Sequence, residues 1–314
     1  SEEAGAAAEQ LLTEAHSALS AARSTGPGTL MFFEDGQGPA RSQLSLISRL
    51  RKAIDQEQLV MHYQPSVNLH SGQLVGVEAL VRWEDPDRGL VPPGEFIPVA
   101  EQTGLIEQIG QWGFAAVCRQ AAEWQSQGHQ FDVAFNLSPR QLQQPDLVEQ
   151  MLETIHVTGV DPRRLIIEIT ESTALREPDR AVTIMCHIAQ HGLRLAIDDF
   201  GVGLSSLSRL REMPATFLKI DRSFVADLET SPTGLVMIRT MVQLAENLGM
   251  QPHAEGIETK QQLRMLLETG CDLGQGFLFS KAVPADEVLD YDLRARQGRL
   301  VPAVTSRSPV AVIW

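Results

Sequence analysis

The sequence predicts an α/β fold in which a mostly parallel sheet closes into a barrel, and three observations predict it. Short apolar, β-branched runs alternate with helical patterns from residue 59 onward, the signature of strand–helix units on a parallel sheet. These runs end on polar residues, namely Glu78, Asn136, Glu168, Asp198, Lys219, Glu255 and Gln275, the last six roughly 20 to 36 residues apart. A closed (β/α)8 barrel gathers such strand-end side chains around one mouth. An open doubly wound sheet would instead carry a glycine-rich phosphate turn after its first strand, and the sequence has none.

Taken in order, "LVMHYQPSVNLHSGQLVGVEALVRW" (59–83) reads as two strands joined by a turn at His70 to Gly72, an antiparallel hairpin in place of a βα unit. "DVAFNLS" (132–138) and "RLIIEITES" (164–172) follow as strands. A helix over 178–192 shows apolar spacing at Val182, Met185, Cys186 and Ile188 and stops at Gly192. "LRLAIDDFG" and "FLKIDRS" are the next strands, a helix over 234–249 stops at Gly249, and "QPHAEGIET" and "LGQGFLF" complete the set. Ahead of the barrel, "SQLSLISRLRKAIDQEQ" reads as a connecting helix. The expected domains are 1–40 (a helix, a Gly-Pro-Gly break and a short strand), 41–291 (the barrel) and 292–314 (a tail).

At 314 residues and 43% hydrophobic content, the chain can fill a large core. Forty acidic against 26 basic residues give a formal net charge of −14, which argues against binding a nucleic acid polymer. Cys118, Cys186 and Cys271 are widely spaced, so neither a disulfide framework nor a zinc site is indicated. No run of 18 apolar residues and no basic-then-apolar start is visible. A cytoplasmic segment without membrane contact is the expectation, on its own or as part of a larger anchored protein.

If the strand ends converge, Glu78, Glu168, Asp198, Asp199 and Glu255 face one cavity together with Asn136. Two unit charges about 4 Å apart repel by about 4 kcal/mol at an effective dielectric near 20, and Lys219 alone cannot offset five carboxylates. Oxygen ligands without cysteine favour hard divalent cations such as Mg²⁺ or Mn²⁺. Adjacent aspartates suit two ions, and two ions suit hydrolysis of a phosphodiester. Lys219 would then orient the attacking water and Arg82 would pair with a phosphate oxygen.

"EALVRW", "NLSPRQL", "EITES", "DDFGVGLSSL", "LKID", "AEGIET" and "GQGFLFSK" stand in the order and spacing of the EAL-domain family, bacterial phosphodiesterases of cyclic di-GMP, which the chain resembles over roughly residues 45 to 291. The resemblance implies a modified TIM-like (β/α)8 barrel with an antiparallel first strand, two Mg²⁺ or Mn²⁺ ions, and hydrolysis of cyclic di-GMP to linear pGpG. It implies that Glu78, Asn136, Glu168 and Asp198 hold the first ion and Asp198 with Asp199 the second. It further places Lys219 and Glu255 on the nucleophilic water, Gln64, Arg82 and Gln275 against substrate or water, and Glu171 under the "DDFGVGLSSL" loop. Residues such as Leu80 and Phe279 are more often barrel wall than guanine platform, although the resemblance implies a purine bound nearby and makes both candidate substrate contacts. A homodimer through helices near that loop is implied as well. Residues 1–40 resemble the end of a GGDEF domain without its signature, which implies upstream sensor and GGDEF-like regions in a longer protein.

Several positions depart from the family. Val202 and Leu204 stand where threonine and tyrosine are common, Ala282 replaces a proline, and His253 stands where an aliphatic residue is commoner. His253 reads first as a hydrogen-bonded core histidine and second as a group tuning Glu255. Taken singly, the site residues have ordinary structural roles too: Asp199 or Ser205 capping a helix, Asn136 and Ser138 forming a turn, Lys219 and Asp221 a solvated pair, Arg82 stacking on Trp83. Two other functions stay open on the residues: a catalytically silent cyclic di-GMP receptor, and a metal-dependent lyase or aldolase acting on a small phosphorylated metabolite.

Overall fold

The computed structural model describes residues 39–203 and 207–296. Strands β1 (Leu59–Asn68), β2 (Leu74–Asp85), β4 (Asp132–Asn136), β5 (Leu165–Thr170), β6 (Arg194–Phe200), β7 (Phe217–Ile220), β8 (Gln251–Ala254) and β9 (Leu273–Gln275) form a ring. Its order is β1-β9-β8-β7-β6-β5-β4-β2, and pairing of β2 with β1 closes it. Every neighbouring pair from β2 through β9 is parallel, whereas β1 runs antiparallel to β9, with Ser66 opposite Gln275. The irregular first strand is the hairpin the sequence shows. Asn68 makes its turn, its carbonyl accepting from the Gly72 N–H at 2.7 Å and its Oδ1 from the His70 and Ser71 N–H groups.

The described residues divide into two compact units, one of residues 39–59 with Trp83–Ile106 and the other of Val60–Arg82 with 107–203 and 207–296. The first holds helix α1 (Pro39–Asp55), the short strand β3 (Gly89–Val91) and helix α2 (Pro93–Thr103). Buried Asp85 organises it by accepting from the N–H groups of Asp87 and Arg88 at 3.0 Å and pairing with Arg49. The cation over the Trp83 ring is also Arg49, 5.5 Å from its centroid; the Arg82 guanidinium bonds the Val81 carbonyl instead.

The second unit is the barrel and its helices α3 (Leu105–Ser126), α4 (Leu147–Thr158), α5 (Glu171–Arg176), α6 (Pro178–Gln190), α7 (Leu207–Leu210), α8 (Arg222–Ala226), α9 (Gly234–Asn247), α10 (Lys260–Leu267) and α11 (Ala285–Arg296). Strand parity explains its layers. Leu165, Ile167 and Ile169 on β5, Leu195 and Ile197 on β6, and Leu218 and Ile220 on β7 are buried in one continuous core, each contributing about 1.5–3 kcal/mol. The alternate positions carry Glu168, Asp198 and Lys219, so one parity builds the core and the other builds the site. Gly192 (φ 90°) and Gly249 (φ 76°) lie just beyond the ends of α6 and α9, where the glycine stop signals place them. Helix α10 begins with a full capping box between Thr259 and Gln262. Helix α11 runs from Ala285 to Arg296. The readings of the region up to residue 38, of Leu204 and Ser205, and of the tail from 297 fall outside the described residues.

Candidate functional site

The strand ends converge on Lys219. Its Nζ, on a side chain 3% exposed, donates to Glu168 Oε2 at 2.7 Å and Glu78 Oε2 at 3.3 Å, and lies 2.7 Å from Glu255 Oε1 and 3.3 Å from Asp198 Oδ1. One ammonium thus meets four carboxylates. This buried cluster is not the solvated Lys219–Asp221 pair; Asp221 instead caps α8 by accepting from the Ser223 N–H at 2.9 Å. Asn136 Nδ2 donates to Glu78 Oε1 at 2.7 Å, and Gln275 Nε2 donates to Glu78 Oε2 at 2.5 Å and Glu255 Oε1 at 3.2 Å.

Adjacent residues on a regular strand point to opposite faces, so the aspartate pair needs a local device. Strand β6 provides a bulge: Ile197 pairs with Leu218 but Phe200 pairs with Ile220, leaving one extra residue at the aspartates. Asp199 adopts φ 53°, a left-handed conformation that aspartate tolerates. The result brings ligand oxygens of Asp198, Asp199 and Glu255 within 4.8 Å of one another, a geometry able to hold a metal ion. Glu78 and Glu168 lie outside that group and against Lys219, and Asn136 is bonded to Glu78.

The crowding shifts protonation. Burial pushes Glu168 well above the carboxylate range, with Glu78, Asp198 and Glu255 adding to it against Lys219. Burial pushes Glu255 up to about 8, again against Lys219. Burial also raises Glu78, but Lys219 and the hydrogen bonds from Gln275 and Asn136 outweigh it and hold that carboxyl low. For Lys219 the four carboxylates overcome burial and keep the ammonium charged. Asp199 is raised by burial first and then by Asp198 and Asp221.

A pH dependence follows. Between its ordinary value of 4.5 and about 8, Glu255 keeps a proton in the folded chain that the unfolded chain releases. The folded state then binds more protons, so stability of the metal-free chain falls as pH rises through that window. A divalent ion selects the ionised carboxylate and flattens the slope. Thermal unfolding across this interval, with chelator and with Mg²⁺, measures both arms, and a slope of the opposite sign contradicts the assignment.

Glu171, 3% exposed, accepts from the Gly201 N–H at 2.9 Å and so holds the segment that leaves β6. Gly201 is required there: at φ 101° an added Cβ would meet Phe224 Cε2 at 2.6 Å and Met241 Cε at 2.7 Å. Gly201→Ala should cost about 1–3 kcal/mol in thermal unfolding; an unchanged midpoint would show that the loop yields freely.

The remaining candidates are dispersed. Gln64 Nε2 bonds the Ser280 carbonyl at 3.3 Å. Arg82 is half-buried, its guanidinium pKa lowered by burial against the opposing pull of Glu78. Leu80 is partly exposed on β2, and Phe279, in the turn after β9, is partly buried and packs against the core. His253 is a buried, hydrogen-bonded histidine, with Nε2 2.7 Å from Ser66 Oγ; burial and then Lys219 push it down to about 3, leaving the ring neutral. Sequence reasoning passed over Ser66, although it shares the strand face of Gln64, and Phe277, which is 60% exposed with Lys281 Nζ 5.5 Å from its ring.

A family model described as "EAL domain" matches residues 47–282. The Pseudomonas aeruginosa protein named "Bifunctional diguanylate cyclase/cyclic di-GMP phosphodiesterase MucR" is 40% identical over 287 residues, covering 91% of this chain and 42% of that protein. The Escherichia coli "Oxygen sensor protein DosP" is 38% identical over 282 residues, covering 89% and 35%. Among solved structures, "PaMucR Phosphodiesterase, c-di-GMP complex" is similar with a TM-score of 0.76 at 41% identity, covering 78% of this chain and 99% of that one. The chain spans less than half the length of these two curated relatives.

Proposed function

The chain belongs to the EAL-domain family, and on that premise we propose that it binds cyclic di-GMP at the C-terminal mouth of the barrel and hydrolyses it to linear pGpG with two divalent ions. The observation that carries the reading is the charge imbalance at Lys219, where one buried cation meets four carboxylates with Asp199 alongside. The donor set fits the ions: it is made of oxygens and gathers more negative charge than the protein itself offsets. Glu78, Asn136, Glu168 and Asp198 would hold one Mg²⁺ or Mn²⁺, and Asp198 and Asp199 the other, with Glu255 in reach of that pair. When bound, the ions supply Lewis acidity toward the phosphoryl oxygens and acidify water.

The chain's own groups do the rest. Lys219 orients the attacking water through its N–H donors. Glu255, poised near neutral pH, takes the water's proton. Gln275 keeps Glu78 and Glu255 in place through its amide. Arg82 pairs with a phosphate oxygen, Gln64 lies along the substrate, and Leu80 with Phe279 lines the purine side. Attack at phosphorus breaks the P–O3′ bond, and the leaving 3′ oxygen gains a proton.

Other implications of the resemblance belong to the same reading: a barrel over 41–291, a GGDEF-like remnant before it, and upstream sensor regions in the longer protein. No helix of the described residues is long and apolar enough to cross a membrane. Val202 (67% exposed) and Leu207 (55% exposed) are exposed apolar side chains near the aspartate pair in the sequence, and they support a homodimer contact. Light scattering should give twice the chain mass, and Val202→Glu should return the monomer; a monomer at high concentration removes this part.

Calorimetric titration separates ligand from chemistry. Cyclic di-GMP should bind with Ca²⁺ or Mg²⁺ present and far more weakly with chelator, whereas no binding in either buffer removes cyclic di-GMP as the ligand.

A further inference from the structure

Barrel interiors are ordinarily filled by stacked branched side chains, but here three of the positions below the cluster are small, Gly76 on β2, Ala134 on β4 and Ala196 on β6, beside Ile166 and Phe217. They line a cavity of about 270 Å³. Its inner end is the underside of the cluster, at Glu78, Glu168 and Lys219. Its outer end is formed by the first residues of β4, β6 and β8, namely Asp132, Arg194 and Gln251. Gln251 is exposed and the Arg194 side chain is 28% exposed, so the cavity opens on the N-terminal face of the barrel.

The wall is polar at both ends. His253, 7% exposed, lines the inner part beside Ser66; Ser66 satisfies its Nε2, and its Nδ1 has no hydrogen-bond partner among the described residues. Arg194 Nε at the outer end has none either, while its guanidinium lies over Phe217 and beside Asp132 Oδ1 at 2.5 Å. A buried polar atom left unpaired costs about 1–3 kcal/mol. Polar cavities recover this by holding water, each molecule taking about 30 Å³, whereas apolar cavities stay dry. The volume here has room for several.

We propose that this well is a solvent channel: a file of ordered waters that enters at Arg194 and Gln251, bonds His253 Nδ1, and reaches the underside of Lys219 and its carboxylates from the side opposite the mouth. Solvent then exchanges with the buried cluster while a ligand covers the mouth. That last clause rests on the cyclic di-GMP reading, and the hydration itself does not.

Exchange of the His253 ring N–H with solvent, followed by NMR on the full chain carrying ¹⁵N-histidine, tests it. Exchange should be complete within seconds of transfer to D₂O. Ala134→Val and Ala196→Val, which narrow the well while leaving every charged group of the cluster in the sequence, should slow it tenfold or more. Saturating cyclic di-GMP should leave it unchanged. A ring N–H protected for hours in the unaltered chain overturns the proposal, and so does slowing by cyclic di-GMP, which would place solvent entry at the mouth. Failure of cyclic di-GMP to bind removes the proposed substrate and leaves the free-chain exchange as the test. If the valine variants do not fold, a high-resolution crystal structure of the unaltered chain decides: water at His253 Nδ1 supports the channel, and a dry cavity that takes up xenon overturns it.

Discussion

Lys219→Met should destabilise the metal-free chain by about 3–5 kcal/mol, the loss expected when one partner of a buried charge cluster is removed. Methionine nearly matches the lysine stem in volume, so the loss reports charge rather than a hole. Four carboxylates within 3.3 Å of Nζ lose their shared cation, and Glu78, which Lys219 holds low, must take up a proton or repel its neighbours. Divalent ions should restore much of the stability, because they replace the missing positive charge. Chemical denaturation with chelator and with Mn²⁺ measures both quantities. An unchanged midpoint in chelator would mean that the Lys219 ammonium does not hold Glu78 low, contrary to the geometry around Nζ.

Glu78→Ala should lower turnover of cyclic di-GMP by about 10²–10³-fold or more, in the range found when one preorganised electrostatic group is deleted. Glu78 is where the polar network joins, since it accepts from Asn136, Gln275 and Lys219 at once. Its loss removes a proposed metal oxygen and releases Gln275, which also holds Glu255. The chain itself should stay folded, because the residue lies outside the apolar core. Steady-state product formation with saturating Mn²⁺, beside a melting curve, distinguishes loss of chemistry from loss of fold. Full activity in this variant would remove the cluster from the reaction.

Much of this site was legible in the sequence because strand parity does two jobs. In "RLIIEITES", Leu165, Ile167 and Ile169 mark the core face and Glu168 the opposite one, so apolar alternation and site chemistry were read from the same letters. The glycine stops at Gly192 and Gly249 and the hairpin at Asn68 to Gly72 were legible as local turn chemistry. The aspartate pair was legible as an oddity but not as a geometry. A bulge is a mismatch between two strands, and nothing within "AIDDFG" states that Ile197 and Phe200 will pair with residues only two apart on β7. The cation over Trp83 came from Arg49, distant in sequence, and adjacency had pointed to Arg82. The well under the cluster was hidden for another reason: Gly76, Ala134 and Ala196 are unremarkable singly, and only barrel closure places them together.

The most direct measurement is chromatography of cyclic di-GMP incubated with this chain and Mg²⁺ or Mn²⁺, with a chelator arm and a Glu78→Ala arm. The two-ion reading requires that pGpG accumulate with either ion and that both control arms abolish it. Cyclic di-GMP that binds yet persists would make the chain a receptor, and pGpG formed equally well in chelator would show that the carboxylates around Lys219 do not work through metal ions.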